Sequence, residues 1–346
     1  MAAKVVLVTG VSGYLAGRLA ARLAEDPDCT RVIGVDTVAP SAEMDARLGR
    51  AEFVRADIRN PLIGKLIADA HVDTVVHASL TIRPQGAGGR ALQKEMNVIG
   101  TMQLLAACQR APQVRTLVVK STSAVYGVGP ADPAEFTEEM APTELPTSGY
   151  ARDLSEVEGY VRGFGRRRPD VSITLLRFCN LIGPGVDNLL TRYFALPGVV
   201  PMTFGRDGRL QLLHPEDALA VLYRAATREL PGVFNVGGDG ILLLSQAIRR
   251  AGRVAVPVPG PVLGNGGRIF RRLHLGDLGP EEVRYLSFGR VLDTTRLKKR
   301  FGFTPKWTTR DAFDDYVRGR GLRPVVDPKV VNAAERGMLD LVERFR

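Results

Sequence analysis

The chain is poor in the residues that staple small folds and build metal sites. Its 346 residues include three cysteines, Cys29, Cys108 and Cys179, and four histidines. The cysteines are odd in number and too far apart for a CxxC knuckle, so neither a disulfide framework nor a zinc ribbon is expected. The histidines, at 71, 77, 214 and 274, lack ligand spacing, which argues against a metal centre. No uncharged run reaches the ~18 residues of a membrane span, and no GxSxG elbow is present to suggest a serine hydrolase. Lysine is scarce as well: 8 of the 47 basic residues are Lys, against 37 acidic residues and a net charge of +10. A basic excess serves nucleic acid, an anionic membrane surface or a phosphate-bearing small molecule, so charge alone selects no partner. Arg166-Arg-Arg168 stands between a helical pattern and Pro169 and reads as a charged helix end. Without an aromatic-rich basic motif, no nucleic-acid partner is expected. The run Met1-Ala-Ala-Lys4 passes straight into Val5-Val-Leu-Val8, leaving no room for a secretion signal, so a cytoplasmic protein is expected.

What is present is ordinary globular composition, 45% hydrophobic and 24% charged, with length for two or three domains. Short apolar runs at 5–9, 31–36, 53–56, 73–77 and 116–121 alternate with helical patterns at 14–24 and 96–108. Helices at 150–164 and 215–227 and strands at 171–177 and 232–236 extend the series. Such alternation predicts an α/β fold of Rossmann type, a doubly wound parallel sheet covered on both faces. Residues 180–204 and 237–307 differ in texture, with Gly and Pro clustered at 256–261 and 264–267. They read as a smaller, discontinuous C-terminal substrate lobe. The expected division is 1–178 with about 206–236 for the dinucleotide domain, about 179–205 and 237–325 for the lobe, and 326–346 for a C-terminal amphipathic helix.

Thr9-Gly-Val-Ser-Gly-Tyr-Leu-Ala-Gly17 falls where a first strand turns into a first helix. Glycines there let the backbone approach a pyrophosphate, and the helix N-terminus offers free N–H donors. The spacing is Gly10-x-x-Gly13-x-x-Ala16; a tight βα turn without any ligand would also use it. Asp36 ends the second strand, where a carboxylate accepts from a ribose 2′-hydroxyl and repels a 2′-phosphate, favouring NAD over NADP. Asp57 and Ile58 end the third strand, near an adenine. His77, Ala78 and Ser79 end the fourth. Together with Gly10, Ser12, Gly13, Tyr14, Leu15 and Asn97 these are the candidate cofactor-binding residues.

With these residues in view, the chain resembles an extended short-chain dehydrogenase/reductase of the NAD-dependent epimerase/dehydratase type, most like an actinobacterial UDP-glucose 4-epimerase-like branch. Thr9-Gly-Val-Ser-Gly-Tyr-Leu-Ala16 resembles the family's TGxxGxxG loop and Ser121-Thr-Ser-Ala-Val-Tyr-Gly127 its SSxxVYG strand end. Arg177-Phe-Cys-Asn-Leu-Ile-Gly-Pro184 is similar to RxxNxxGP, Leu213-His-Pro-Glu-Asp217 to HVxD, and Phe234-Asn-Val-Gly237 to FNVG. Asp293-Thr-Thr-Arg-Leu297 with Gly302-Phe-Thr-Pro305 resembles its C-terminal ending. The resemblance implies NAD as cofactor, a small-molecule substrate such as a nucleotide sugar, and reversible oxidation at a hydroxyl carbon. It also implies a homodimer paired through the helices at 96–108 and 150–164.

The family's chemistry uses a Tyr-x-x-x-Lys pair and a Ser or Thr. The tyrosine moves a proton, and the lysine holds the nicotinamide ribose and lowers the tyrosine pKa. The resemblance assigns the hydroxyl to Thr122 and the tyrosine to Tyr150, but Leu154 stands at the lysine position. A tyrosine of pKa ~10 is about one part in a thousand ionised at pH 7, and a cation within a few ångströms shifts such a value by ~1–3 units. Lys120 is the one nearby lysine in sequence. Arg152, two residues from Tyr150, faces away at helical spacing. Leu210 occupies the place of the arginine that meets a nucleotide diphosphate in such epimerases, with Arg206 and Arg209 in the same loop. Asn180, Arg206 and Arg209 are the candidate substrate residues. Two readings stand: an NAD-dependent epimerase-like enzyme with an atypical site, and a catalytically impaired NAD(H)-binding sensor or scaffold.

Overall fold

The computed structural model describes residues 4–80, 89–142, 149–259 and 279–324. The expected tail helix at 326–346, the glycine cluster at 264–267 and the segment just before Gly149 lie outside those residues.

Lys4–Thr9 (β1), Tyr14–Glu25 (α1), Cys29–Asp36 (β2), Ala42–Leu48 (α2), Glu52–Arg55 (β3), Leu62–Asp69 (α3) and Thr74–His77 (β4) alternate as the apolar runs predict. Gly89–Lys94 (α4) continues through a π turn at Glu95–Ile99 into Gly100–Arg110 (α5). Then come Thr116–Thr122 (β5), a 3-10 turn at Ser123–Tyr126, Gly149–Arg167 (α6) and Ser172–Phe178 (β6). The remainder carries Asn180–Leu181 (β7), Leu189–Phe194 (α7), Val199–Thr203 (β8), Arg209–Leu210 (β9), Leu212–Leu213 (β10), Pro215–Thr227 (α8) and Gly232–Val236 (β11). Leu242–Leu243 (β12), Leu244–Arg250 (α9), Val254–Val258 (β13) and Gly289–Arg290 (β14) follow, with helices at Pro280–Phe288, Thr295–Lys299 and Thr309–Gly319.

Seven strands form one sheet in the order β11-β6-β5-β4-β1-β2-β3, every pair parallel. Strands buried on both faces read as unbroken apolar runs, and Val6, Leu7 and Val8 of β1 are fully buried. Helices α1, α2 and α8 pack together, as do α3, α5 and α6. The order reverses between β1 and β4, the point outside whose carboxyl ends ligands lie in such sheets.

The helix expected over 96–108 is not regular throughout, because the π turn inserts one residue and carries Asn97 into full burial. Arg168 ends the basic triplet inside the protein, donating to the Cys108, Ala111 and Val114 carbonyls (2.8, 3.2 and 3.0 Å) and pairing with Asp170 at 2.8 Å. It thereby caps the end of α5.

A second apolar core gathers Leu190, Phe194, Leu210, Leu212, Leu244, Ile248, Phe313 and Tyr316. The two cores interleave along the chain: Leu292, Leu297 and Phe301, within the stretch assigned from sequence to the smaller lobe, pack into the core of the large sheet. Because these strands run parallel, the carboxyl ends of β1, β4 and β5 share one edge of the sheet.

Candidate active site

The nucleotide loop is built to bring the backbone close to a ligand. Gly10 has φ +81°, and a Cβ there would lie 2.7 Å from Ser79 Cα, so only glycine fits. Gly13 caps α1 with no side-chain hydrogen bond, leaving the helix N-terminal N–H groups open toward the cleft. The helix itself packs hard on the loop. A Cβ on Gly17 would sit 2.5 Å from the Val11 carbonyl and from Met44 Sδ. Gly17 therefore makes the close helix–loop contact usually given to a third glycine, and the signal was present one residue past Ala16.

Asp36 closes the far side. It accepts from the N–H of Ser12 (3.1 Å) and of Thr37 (2.7 Å), which fixes its carboxylate beside the loop with acceptor capacity left over. The Ser12 hydroxyl donates to the Val38 carbonyl. Tyr14 packs against Gly185 and accepts from Arg18 at 3.0 Å, while Leu15 points into the core. Asp57 is held by Arg59 (2.6 Å), which also reaches Glu95, and that partner keeps its carboxyl below the usual range. Ile58 lies under Gly100, whose Cβ would meet it at 2.9 Å.

Thr9, absent from the candidate set, organises the end of β4. Its Oγ1 accepts from the N–H of Ala78 (3.1 Å) and Ser79 (3.2 Å) and stands 3.0 Å from His77 Nδ1. The other ring nitrogen of His77 is 2.8 Å from Thr101 Oγ1, which donates to the Asn97 carbonyl at 2.5 Å. Burial, assisted by the Lys120 charge, pushes His77 down to about 4, so its ring is neutral at pH 7. The ring is a strut of the core; the cleft at this strand end is bounded by the Ala78–Ser79 backbone.

At the end of β5, Thr122 caps the 3-10 turn, its Oγ1 accepting from the Ala124 N–H at 3.2 Å. Helix α6 packs on β5 and on that turn. It brings Tyr150 half-buried against the core, with Leu154 fully buried one turn later. Burial, together with the Asp153 charge, holds the Tyr150 hydroxyl well above its ordinary value. Tyr150 has no hydrogen-bond partner among the described residues. Asp153 itself is fully buried and paired with Arg90, which also donates to the Gly149 carbonyl at 2.9 Å, so the N-terminus of α6 is clamped. Ser121 faces α6, and by strand alternation Lys120 leaves the opposite face.

The motif residues that look chemical turn out to be struts. Arg177 forms a two-point pair with Glu158 (3.0 and 2.6 Å) and donates to Tyr126 at 2.8 Å; Ser121 donates to the same carboxylate at 2.7 Å. Tyr126 donates to Asn235 Oδ1 at 2.8 Å. Asp217 receives the N–H groups of Lys306 and Trp307 (3.0 and 2.9 Å), and His214 stacks on the Trp307 ring at 4.0 Å.

Of the substrate candidates, Asn180 is half-buried beside Tyr285, whose hydroxyl burial pushes up to about 12. Arg206 is exposed and stacks over the Phe288 ring, and Arg209 donates to the Pro133 carbonyl at 3.4 Å. No contact joins either arginine to Asn180 or Thr122.

The sheet, the glycine loop and the pattern of strand-end residues find their counterpart in a known family. The NAD dependent epimerase/dehydratase family matches residues 6–237. The chain belongs to this family. Its cofactor is NAD, which the open α1 N-terminus, the Gly10 cradle and the Asp36 carboxylate fit. A similar relative is an uncharacterized protein of Mycobacterium tuberculosis, 54% identical over 342 residues, which are 99% of this chain and 91% of the relative. Among solved structures, UDP-glucose-4-epimerase of Stenotrophomonas maltophila, with bound NAD and formylated UDP-arabinopyranose, superposes with a TM-score of 0.70 at 20% identity, covering 92% of this chain and 98% of that one. UDP-glucuronic acid 4-epimerase of Bacillus cereus, in complex with NAD, gives 0.68 at 20% identity over 90% and 98%. Among the described residues no helix is long and apolar enough to cross a membrane.

Proposed function

We propose that the chain binds NAD along the carboxyl ends of β1, β2 and β4 and a nucleotide sugar beside it, acting at a hydroxyl carbon of the sugar. The observation that carries this reading is the Gly10–Gly13–Asp36 arrangement, in which a glycine that tolerates no Cβ, an uncapped helix and a strand-end carboxylate converge. Bound NAD supplies a reversible hydride acceptor and donor. The protein's own part is proton handling: Thr122 Oγ1 orients the sugar hydroxyl, and Tyr150 Oη takes its proton and returns it on reversal.

Leu154 sets the rate of that step. With no cation one turn along α6 and a hydroxyl already raised by burial, fewer than about three in a thousand Tyr150 side chains are ionised at pH 7.5. Turnover is therefore slow and rises with pH. The same observation favours the second reading, an NAD(H)-binding sensor or scaffold without turnover.

Homodimerisation through α5 and α6 is supported by Ile99, Met102 and Tyr160, which stand 44%, 39% and 39% exposed on that side. A cytoplasmic location is supported by three buried, unpaired cysteines.

The test is to identify the copurifying nucleotide and then compare wild type with Tyr150→Phe on a nucleotide-sugar panel. Turnover in wild type that is abolished in Tyr150→Phe establishes the enzyme. NAD binding with no turnover in either leaves the sensor, and absence of any nicotinamide nucleotide overturns both.

A further inference from the structure

Four arginines of the described chain are buried, and two of them are held in ion pairs. Arg168 and Arg177 pair with Asp170 and Glu158, and Arg253 donates to the carbonyls of Leu196, Gly252 and Arg323. Arg290 differs. It is 8% exposed, yet it forms no ion pair among the described residues. Of its five N–H donors, Nε goes to the Gly127 carbonyl (2.8 Å) and one on Nη1 to Ser123 Oγ (3.3 Å), and no described residue takes Nη2. Asp132 and Glu281 act on it only through space. Asp132 already accepts from the Gly129 N–H, and Glu281 lies beside Gly149.

Its position is as informative as its lack of a partner. Ser123 follows Thr122 directly. The guanidinium also lies 5.5 Å from the centre of the Tyr285 ring, which is beside Asn180. Arg290 thus stands among the residues that line the substrate side of the cleft. In the pairing of β14 with β9 it sits opposite Leu210, the very position where a diphosphate-binding arginine was expected and a core leucine is found.

We propose that Arg290 is the anion-reading residue of the substrate cleft, holding an oxyanion of the substrate, either a carboxylate on the sugar or a phosphate of the nucleotide, with its free guanidinium edge beside Ser123. A buried guanidinium without a counter-charge is unfavourable, and a planar two-oxygen anion matches its fork better than a hydroxyl does. Neutral polyols alone would need no buried cation. The inference rests on the nucleotide-sugar reading above and adds to it the residue that selects the substrate's charge.

The experiment measures calorimetric binding of UDP, UDP-glucose and UDP-glucuronic acid to the NAD-loaded protein, in wild type, Arg290→Gln and Arg290→Lys, alongside Tm and NAD affinity. The expected result is that Arg290→Gln loses at least tenfold in affinity with NAD binding unchanged, and that Arg290→Lys recovers part of it. A loss confined to UDP-glucuronic acid identifies a sugar carboxylate, and an equal loss for all three identifies the diphosphate; both support the assignment. Binding that survives Arg290→Gln within twofold overturns it while leaving the nucleotide-sugar reading intact. Should Arg290→Gln fail to fold, Arg290→Lys decides: wild-type affinity in a variant that has lost the fork overturns the proposal, and a several-fold loss at unchanged Tm supports it. A wild type that binds NAD but none of the three ligands sinks the nucleotide-sugar reading, and this inference falls with it.

Discussion

Replacing Leu154 with lysine places the absent cation one helical turn from Tyr150, and its consequences can be worked from both sides. Residues four apart share a face of a helix, so the new ammonium reaches toward the tyrosine hydroxyl. A cation at that range lowers an acid's pKa by about 1–3 units, which multiplies the ionised fraction of Tyr150 at pH 7.5 by roughly 10 to 1000. The cost is in packing. Leu154 is fully buried in the main core. Truncating such a leucine costs about 2–5 kcal/mol, and the lysine stem keeps part of that contact, so a loss of about 2–3 kcal/mol is expected. Against a typical stability of about 5–15 kcal/mol the variant folds. The assay is the pH–rate profile for nucleotide-sugar turnover, with Leu154→Met as the control that preserves volume without charge. At least a tenfold gain at pH 7.5 is expected, with the alkaline limb of the profile moved down by 1–3 units. A folded Leu154→Lys protein whose profile coincides with that of Leu154→Met refutes the role given to Tyr150.

Gly10→Ala should weaken NAD binding at least tenfold by calorimetry, because the methyl collides with Ser79; Gly205→Ala, at a similar positive φ but with open space around it, should leave NAD binding unchanged. His77 makes stability fall in acid: its value is about 4 when folded against an ordinary 6.5, so between those limits the unfolded chain binds a proton that the folded one refuses. Stability therefore drops as pH falls through 6.5 and levels off below 4. Urea unfolding at pH 7.5 and 5.0 should show wild type losing about 2 kcal/mol more than His77→Asn. Equal losses would remove His77 as the cause.

Much of the fold was legible because its signal is local. The β-branched runs of β1, β4 and β5 are buried on both faces and hence unbroken in sequence. Gly10 and Asp36 could be found for the same reason, since each must stand at a strand end of fixed spacing. What stayed hidden depends on contacts distant along the chain. The two-point pair of Arg177 with Glu158 spans 19 residues, and the contact of Arg290 with Ser123 spans 167. No periodicity announces either. Arg206 and Arg209 stand close to His214 in sequence, whereas the pairing that sets Arg290 opposite Leu210 has no local signal. The π turn at Asn97 was hidden too, because one extra residue leaves a 3.6-residue pattern almost unchanged over 11 residues.

Helix α6 separates what holds it from what it offers. Arg90 grips Asp153, and Arg177 with Ser121 grips Glu158, so the helix is anchored on both sides of position 154 without using that side chain. A change at position 154 alone therefore alters the charge beside Tyr150 while these struts stay in place. The anchoring of the helix and the chemistry at its first turn are thus set by separate side chains.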